Sequence, residues 1–210
     1  MKFPGTYAAY ALIMSIFGQT IHAIHLGLLL VNVATIALIF LVGRRLINTM
    51  AGITGAASYA VLSVSPSVLG LAAHATHFVM LPVLGGILLL LKQQQVPASE
   101  PSQPNRFVRL FACGLLFGIG ALMKQPALLF VPFGVIYILW NDLNRRLSVN
   151  RMLLQILTFV TGVVVPLGIT SLILWSAGVF DKFWFWTINY AWQYGSLVRF
   201  SQAPRIFLHS

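Results

Sequence analysis

Carboxylates are the scarcest chemical groups in this sequence of 210 residues, and they limit the reactions that it can catalyse. Only three are present: Glu100, Asp142 and Asp181. A carboxylate that serves as a general base, or that binds a metal, must therefore be one of these three. The single cysteine, Cys113, excludes an intramolecular disulfide and a cysteine-based zinc site.

Lys124 is the most unusual cation in the sequence. It lies in the segment 122–126, in which Lys124 and Gln125 form a predicted two-residue turn between two apolar runs. A cation at such a boundary is costly unless it faces water, lipid headgroups or an anionic ligand. Two interpretations stay open: Lys124 holds a phosphate or pyrophosphate at the membrane boundary, or it is a snorkelling lysine at the end of a hairpin.

Four of the histidines form two pairs, His22 with His25 and His74 with His77. A spacing of three residues puts both imidazoles of a pair on one face of a helix. Four convergent histidines are able to bind zinc, but no carboxylate accompanies either pair. We therefore expect no metal cofactor, with a divalent metal as the alternative, and we expect His74 and His77 to hydrogen-bond a substrate.

The segment 180–194 contains eight aromatic residues, among them Trp184 and Trp186. One interpretation is an aromatic belt at the level of the lipid headgroups. The other is an interfacial helix that forms one wall of a groove for a lipid-linked substrate. Asp181, near its start, is a weak candidate for a catalytic base, and a carboxylate at a helix N-terminus explains it equally well.

The composition indicates which kind of structure must position these residues. Apolar residues make up 59% of the chain and charged residues 8%, whereas a soluble domain has about a quarter charged residues. A transmembrane helix needs about 20 mostly apolar residues. We therefore predict an all-α polytopic membrane protein with a single transmembrane domain of about six spans. The predicted spans are 21–42, 51–71, 76–91, 107–123, 126–140 and 152–177.

The remaining segments fit between or beside these spans. The segment 4–17 is apolar but too short to cross a membrane, so we predict that it lies in the interface, as we do for 180–194. The Gln-, Pro- and Ser-rich segment 92–106 is the predicted linker. Gly114 and Gly118 have the spacing of small residues that permits close packing of two helices.

The basic residues predict the orientation in the membrane. With alternating spans, one side receives eight of them: Arg44, Arg45, Lys92, Arg106, Arg109, Arg145, Arg146 and Arg151. The other side receives five: Lys2, Lys124, Lys182, Arg199 and Arg205. The richer side is expected to be cytoplasmic, with both termini outside. Because these residues are scattered between apolar runs, the net charge of +10 indicates contact with membrane lipid and no nucleic acid partner.

Short motifs along the chain resemble those of one family of enzymes. The segments 2–7, 16–18 and 43–46 are similar to the dolichyl-phosphate-mannose protein mannosyltransferase-like family, glycosyltransferases of the GT-C fold in bacterial inner membranes. The turn 122–126 is similar to that family's lysine-containing turn. The segment 73–77 departs from the family's pattern, because histidines stand where members often carry Arg and Asp.

The resemblance implies transfer of a sugar from a polyprenyl-phosphate donor to an acceptor, of unidentified chemistry, on the outer side of the membrane. It implies that Lys2 and Lys124 contact the phosphate, that His74 and His77 contact the sugar or acceptor, and that Trp184 and Trp186 line the lipid side. The family's catalytic Asp is expected upstream of Met1. We therefore expect a partial GT-C domain that has little transferase activity alone. The alternative function is a small multi-pass transporter or channel that uses the external histidine pairs.

Overall fold

The computed structural model describes residues 3–65, 72–93, 104–190 and 193, and these residues form helices without any strand. Five of the helical segments in these ranges are long and apolar enough to cross a membrane. The predicted class, an all-α polytopic membrane protein, is therefore confirmed. The five segments are Ile21–Leu46, Ala75–Lys92, Arg106–Met123, Gln125–Asn144 and Val149–Ser176.

The helices follow one another with short connections wherever the connection is described. In chain order they are α1 (Pro4–Phe17), α2 (Ile21–Leu46), α3 (Thr49–Leu62), α4 (Ala75–Gln93), α5 (Pro104–Met123), a 3-10 helix (Gln125–Leu129), α6 (Phe130–Asn144), α7 (Val149–Ser176) and α8 (Phe180–Trp184), followed by a π-helical turn (Phe185–Asn189). Most of the predicted linker 92–106 lies outside the described residues.

The predicted span 51–71 differs most from what the structure contains. Helix α3 has 14 residues and ends at Leu62. At a rise of 1.5 Å per residue it is about 21 Å long, shorter than a bilayer core of about 30 Å. Two turns follow the helix, and Ser65 precedes Pro66, a position that disfavours helical backbone. Residues 66–71, the rest of the predicted span, lie outside the described residues, so the sixth crossing stays a prediction.

Local sequence signals explain where several helices begin and end. Pro4 occupies the first turn of α1, where the missing N–H costs nothing, and Gly18 ends that helix at a φ of 92°. The Thr20 hydroxyl accepts a hydrogen bond from the Ala23 amide and caps α2. The Asn48 side chain caps α3 in the same way by accepting from Ala51 at 2.8 Å. Each cap satisfies one amide that has no partner within its helix.

Residues 3–168 form one compact unit, with the main apolar core between α4, α5, α6 and α7. Phe117 and Phe159 are both fully buried and meet edge to face, with ring centroids 5.8 Å apart. Around them lie Leu90, Leu110, Cys113, Ile138 and Val163.

Small residues let α5 and α7 approach each other closely. A Cβ added at Gly114 would lie 2.9 Å from the Val163 amide nitrogen, and one added at Gly118 would lie 2.5 Å from Cγ of Pro166. The same holds in the other direction, because a Cβ at Gly162 would lie 3.0 Å from the Leu115 nitrogen. The predicted role of Gly114 and Gly118 in helix packing is therefore confirmed.

Residues from 169 onward belong to a second unit, which is described here by itself. Gly178, at a φ of 67°, follows the end of α7, and the Val179 amide donates to the Leu174 carbonyl across the turn. The short helix α8 and the π-helical turn then carry the aromatic residues, with Trp186 and Tyr190 in ring contact. Residues 191, 192 and 194 of the predicted segment 180–194 lie outside the described residues.

Candidate functional site

The start of α4 carries the first part of the candidate site. Ala73 adopts a positive φ of 48°, which turns the chain into α4 at Ala75. After this turn, Nδ1 of His74 lies 2.7 Å from the Thr76 hydroxyl and accepts from the Thr76 amide at 3.4 Å. Both contacts join Nδ1 of His74 to the same residue, so Thr76 fixes the position of the imidazole at the start of α4.

The end of α5 carries the second part. Lys124 has extended backbone between α5 and the 3-10 helix that begins at Gln125. Its ammonium group donates to the Thr76 hydroxyl at 3.2 Å. The Thr76 hydroxyl accepts from Lys124 and is also hydrogen-bonded to Nδ1 of His74, so these three side chains form one hydrogen-bonded group. The structure thus brings together Lys124 and His74, two residues that the sequence singled out separately.

Helix α1 holds both turns in place. The Thr6 side chain is fully buried, and its hydroxyl donates to the Met123 carbonyl at 3.1 Å, directly before Lys124. The Tyr10 hydroxyl donates to the Ala73 carbonyl, directly before His74. The Tyr10 ring also meets Phe78 edge to face, with centroids 5.6 Å apart. Two hydroxyls of one helix therefore fix the two backbone segments that present the candidate site.

The charge of Lys124 is not neutralised by the protein in the part that the structure describes. The ion pair found there joins Arg106 to Asp142, and Asp181 is the other described carboxylate. Lys124 is half-buried, and its described polar contact is with Thr76. A half-buried cation that contacts a neutral hydroxyl is suited to an anionic ligand.

His77 and the second histidine pair lie in other surroundings. His77 is buried, with 8% of its surface exposed, and its amide donates to the His74 carbonyl. His22 and His25 are exposed on α2. Within the described ranges, no three His, Cys, Asp or Glu side chains are grouped as metal ligands.

His25 lies at a groove between α2 and the end of α3. The groove has a volume of about 270 Å³ and is lined mainly by apolar side chains. Its polar lining includes Asn32, whose side-chain oxygen accepts from the Tyr59 hydroxyl at 3.2 Å. Leu28, which lines this groove, belongs to the same apolar cluster as Ala73, and Met123 packs against that cluster. The groove and the His74–Lys124 group are therefore linked through one cluster of side chains.

The remaining predicted site residues are not joined to this group by anything described. Lys2 lies outside the described residues. Asp181, Trp184 and Trp186 are exposed in the second unit, where Asp181 lies in the first turn of α8. The roles of these residues stay predictions.

Sequence reasoning missed Thr6, Tyr10 and Thr76, the hydroxyl residues that assemble the site. Thr76 had a detectable signal, because it lies between His74 and His77 at the polar start of an otherwise apolar run. Thr6 and Tyr10 had none, since their partners are backbone carbonyls more than 60 residues away in sequence.

Comparison with known proteins assigns the family. A family model described as dolichyl-phosphate-mannose-protein mannosyltransferase matches residues 2–175. The chain belongs to this family. The match includes α1, both turns of the site and most of α7, so the His74–Thr76–Lys124 group lies within the region that defines membership. Searches of curated proteins and of solved structures found no match.

Proposed function

We propose that this mannosyltransferase-family chain binds the phosphate of a polyprenyl-phosphate-linked sugar at Lys124. The observation that carries the proposal is the Lys124 side chain, half-buried as a whole, whose ammonium contacts the exposed Thr76 hydroxyl next to His74 without a described carboxylate partner. A compact ammonium on a flexible stem is a suitable point charge for a phosphate. The family's named donor, dolichyl phosphate mannose, has such a phosphate on a lipid.

His74 supports the proposal from the neighbouring turn. Its imidazole lies in the same hydrogen-bonded group as Lys124, and we propose that it contacts the sugar or the acceptor. We assign His77 to positioning, because its side chain is buried one helical turn farther along. Lys2 is proposed as a second phosphate contact, since it precedes α1, the helix that holds both turns of the site.

The apolar groove beside α2 supports a binding place for the polyprenyl chain. It is apolar, it adjoins His25, and the cluster that contains Leu28 connects it to the turns at Ala73 and Met123. A polyprenyl chain needs a surface of this kind next to the residue that binds its phosphate. Trp184 and Trp186 are proposed as a further lipid-side wall, and Asp181 as a candidate base.

The distribution of basic residues supports an orientation in which this site lies on the outer side of the cell's inner membrane. The bond between Lys124 and Thr76 puts the end of α5 beside the start of α4. Lys92 lies in the last turn of α4 and Arg106 in the first turns of α5, so the cations of the richer side lie at the opposite ends of these two helices. This orientation also needs the chain to cross back between α2 and α4, where the sequence predicts the span 51–71, and both termini are then outside. A transporter or channel built on the histidine pairs is not favoured, since His77 is buried while His22 and His25 are exposed on another helix.

The proposal is tested by measuring the affinity of the purified chain in nanodiscs for dolichyl phosphate mannose. Lys124→Gln removes a charge-assisted hydrogen bond, which contributes about 1.5–3 kcal/mol, and is expected to weaken binding by roughly 10- to 100-fold. Lys92→Gln is the matched control, because it removes an exposed lysine from the other end of α4. Equal affinity in the Lys124 variant and the control would overturn the proposal.

A further inference from the structure

A second polar cluster lies at the opposite end of α5 from Lys124. It contains the ion pair between Arg106, near the start of α5, and Asp142, near the end of α6. One guanidinium nitrogen of Arg106, Nη2, donates to Oδ1 of Asp142 at 2.5 Å. Asp142 is completely buried, and Gln155 of α7, with 2% of its surface exposed, lines the same pocket. Three helices therefore contribute polar side chains to one buried place.

Each of these residues, together with Tyr137 of α6, has one buried polar atom without a hydrogen-bond partner among the described protein groups. The four atoms are Nε of Arg106, the hydroxyl oxygen of Tyr137, Oδ2 of Asp142 and Oε1 of Gln155. An unsatisfied buried polar group is costly, and native proteins leave few of them. Four such atoms in residues that line one pocket indicate that they share a ligand.

The pocket that these residues line fixes the size of that ligand. The centre of a water-sized sphere can move within about 10 Å³ of this pocket. This volume is close to the minimum that holds one water. Its apolar lining is supplied by Leu90 and Ile138, and Asn141 completes the wall. A larger polar molecule does not fit this space.

We propose that a single buried water occupies this pocket and joins α5, α6 and α7. The four atoms match the bonding capacity of one water, because Arg106 Nε and the Tyr137 hydroxyl donate while Asp142 Oδ2 and Gln155 Oε1 accept. The water accepts the first two hydrogen bonds and donates the other two. It also completes the second arm of the Arg106–Asp142 pair, whose first arm is the direct bond to Oδ1.

The two donors and the local charge argue against a cation in the pocket. Arg106 Nε–H and the Tyr137 hydroxyl need an acceptor, which a metal ion cannot supply. Arg145 and Arg151 also interact electrostatically with Arg106, so the charged groups that act here are three arginines and one carboxylate, that of Asp142. Water is the small molecule that both accepts and donates here.

A double-mutant cycle on the whole chain tests the proposal. Tyr137→Phe and Gln155→Leu each remove one partner of the water, and each is expected to lower the thermal unfolding midpoint by about 2–4 °C. Because both side chains act through one water, the double variant is expected to lose clearly less than the sum of the two. The control cycle pairs Tyr137→Phe with Thr6→Val, a buried hydroxyl of α1 with another partner, and is expected to be additive. Additive losses in both cycles would overturn the proposal.

A crystal structure of the unmodified chain gives a second test that does not depend on how the variants fold. The proposal expects density for one water within about 3.2 Å of all four atoms. A direct hydrogen bond between Asp142 Oδ2 and Gln155, with no density in the pocket, would refute it. Density for a metal ion with Arg106 turned away would refute it as well.

Discussion

Gly5 offers a sharp test of the claim that α1 positions the candidate site. This buried glycine lies at the start of α1, and a Cβ added to it would lie 2.7 Å from the Leu122 carbonyl oxygen and 2.8 Å from the carbonyl carbon. Both atoms are backbone, so no flexible side chain can move aside. Ordinary contacts of a Cβ begin at about 3.4 Å, so Gly5→Ala requires α1 to retreat by about 0.7 Å from the end of α5.

The retreat has a calculable consequence for the next residue. Thr6 donates to the Met123 carbonyl at 3.1 Å, and a retreat of about 0.7 Å takes this bond beyond the hydrogen-bond range. Overpacking costs about 1–3 kcal/mol and a lost hydrogen bond about 1 kcal/mol, so we expect a total near 2 kcal/mol after partial relaxation. For a chain of this size, that corresponds to a decrease of about 4–8 °C in the unfolding midpoint.

The assay combines thermal unfolding in detergent with binding of dolichyl phosphate mannose. Gly5→Ala is expected to lower both the midpoint and the affinity, because the Met123 carbonyl directly precedes Lys124. Gly168→Ala is the matched control, since a Cβ at Gly168 has no neighbour within 4 Å. The reasoning is refuted if Gly5→Ala binds the donor and unfolds like the control.

Two further predictions concern the packing of α5 and the centre of the site. Gly162→Ala would put a Cβ 3.0 Å from the Leu115 nitrogen, so we expect α5 and α7 to separate. The free energy of unfolding is expected to fall by about 1–3 kcal/mol. Thermal unfolding measures this loss, with Gly168→Ala as the control. Thr76→Val removes the hydroxyl between His74 and Lys124, and we expect it to weaken donor binding by roughly 3- to 10-fold. Thr76→Ser keeps the hydroxyl and is expected to keep the affinity. Equal loss of affinity in both variants would contradict the role of the hydroxyl.

Much of the fold was predictable because membrane helices are defined by local composition. The apolar runs at 21–42, 107–123 and 152–177 lie in α2, α5 and α7 almost residue for residue. The end of α3 at Leu62 was missed because averaged hydropathy extended the run to residue 71, although three serines and Pro66 follow Leu62 and signal a break. A hydropathy pattern indicates which segments are apolar enough to lie in lipid, whereas the length of a helix also depends on the conformation of the backbone.

The candidate site was predictable in its cations and imidazoles but not in its assembly. Lys124 and His74 stood out because charged and polar residues are costly inside a membrane, so those that interrupt a largely apolar chain are few. Their contact through Thr76 depends on α4 and α5 lying side by side, which the sequence does not specify. The same limit applies to Asp142, whose burial against Arg106 depends on the packing of α5 and α6.

The binding of dolichyl phosphate mannose by the Lys124→Gln variant tests the central claim most directly. Wild type, Lys124→Gln and Lys92→Gln are compared in nanodiscs of the same lipid composition at the same ionic strength. The phosphate-site account predicts that Lys124→Gln alone loses affinity, by roughly 10- to 100-fold, while its unfolding midpoint stays near that of the wild type. Unchanged affinity in Lys124→Gln, or the same loss in Lys92→Gln, would contradict it.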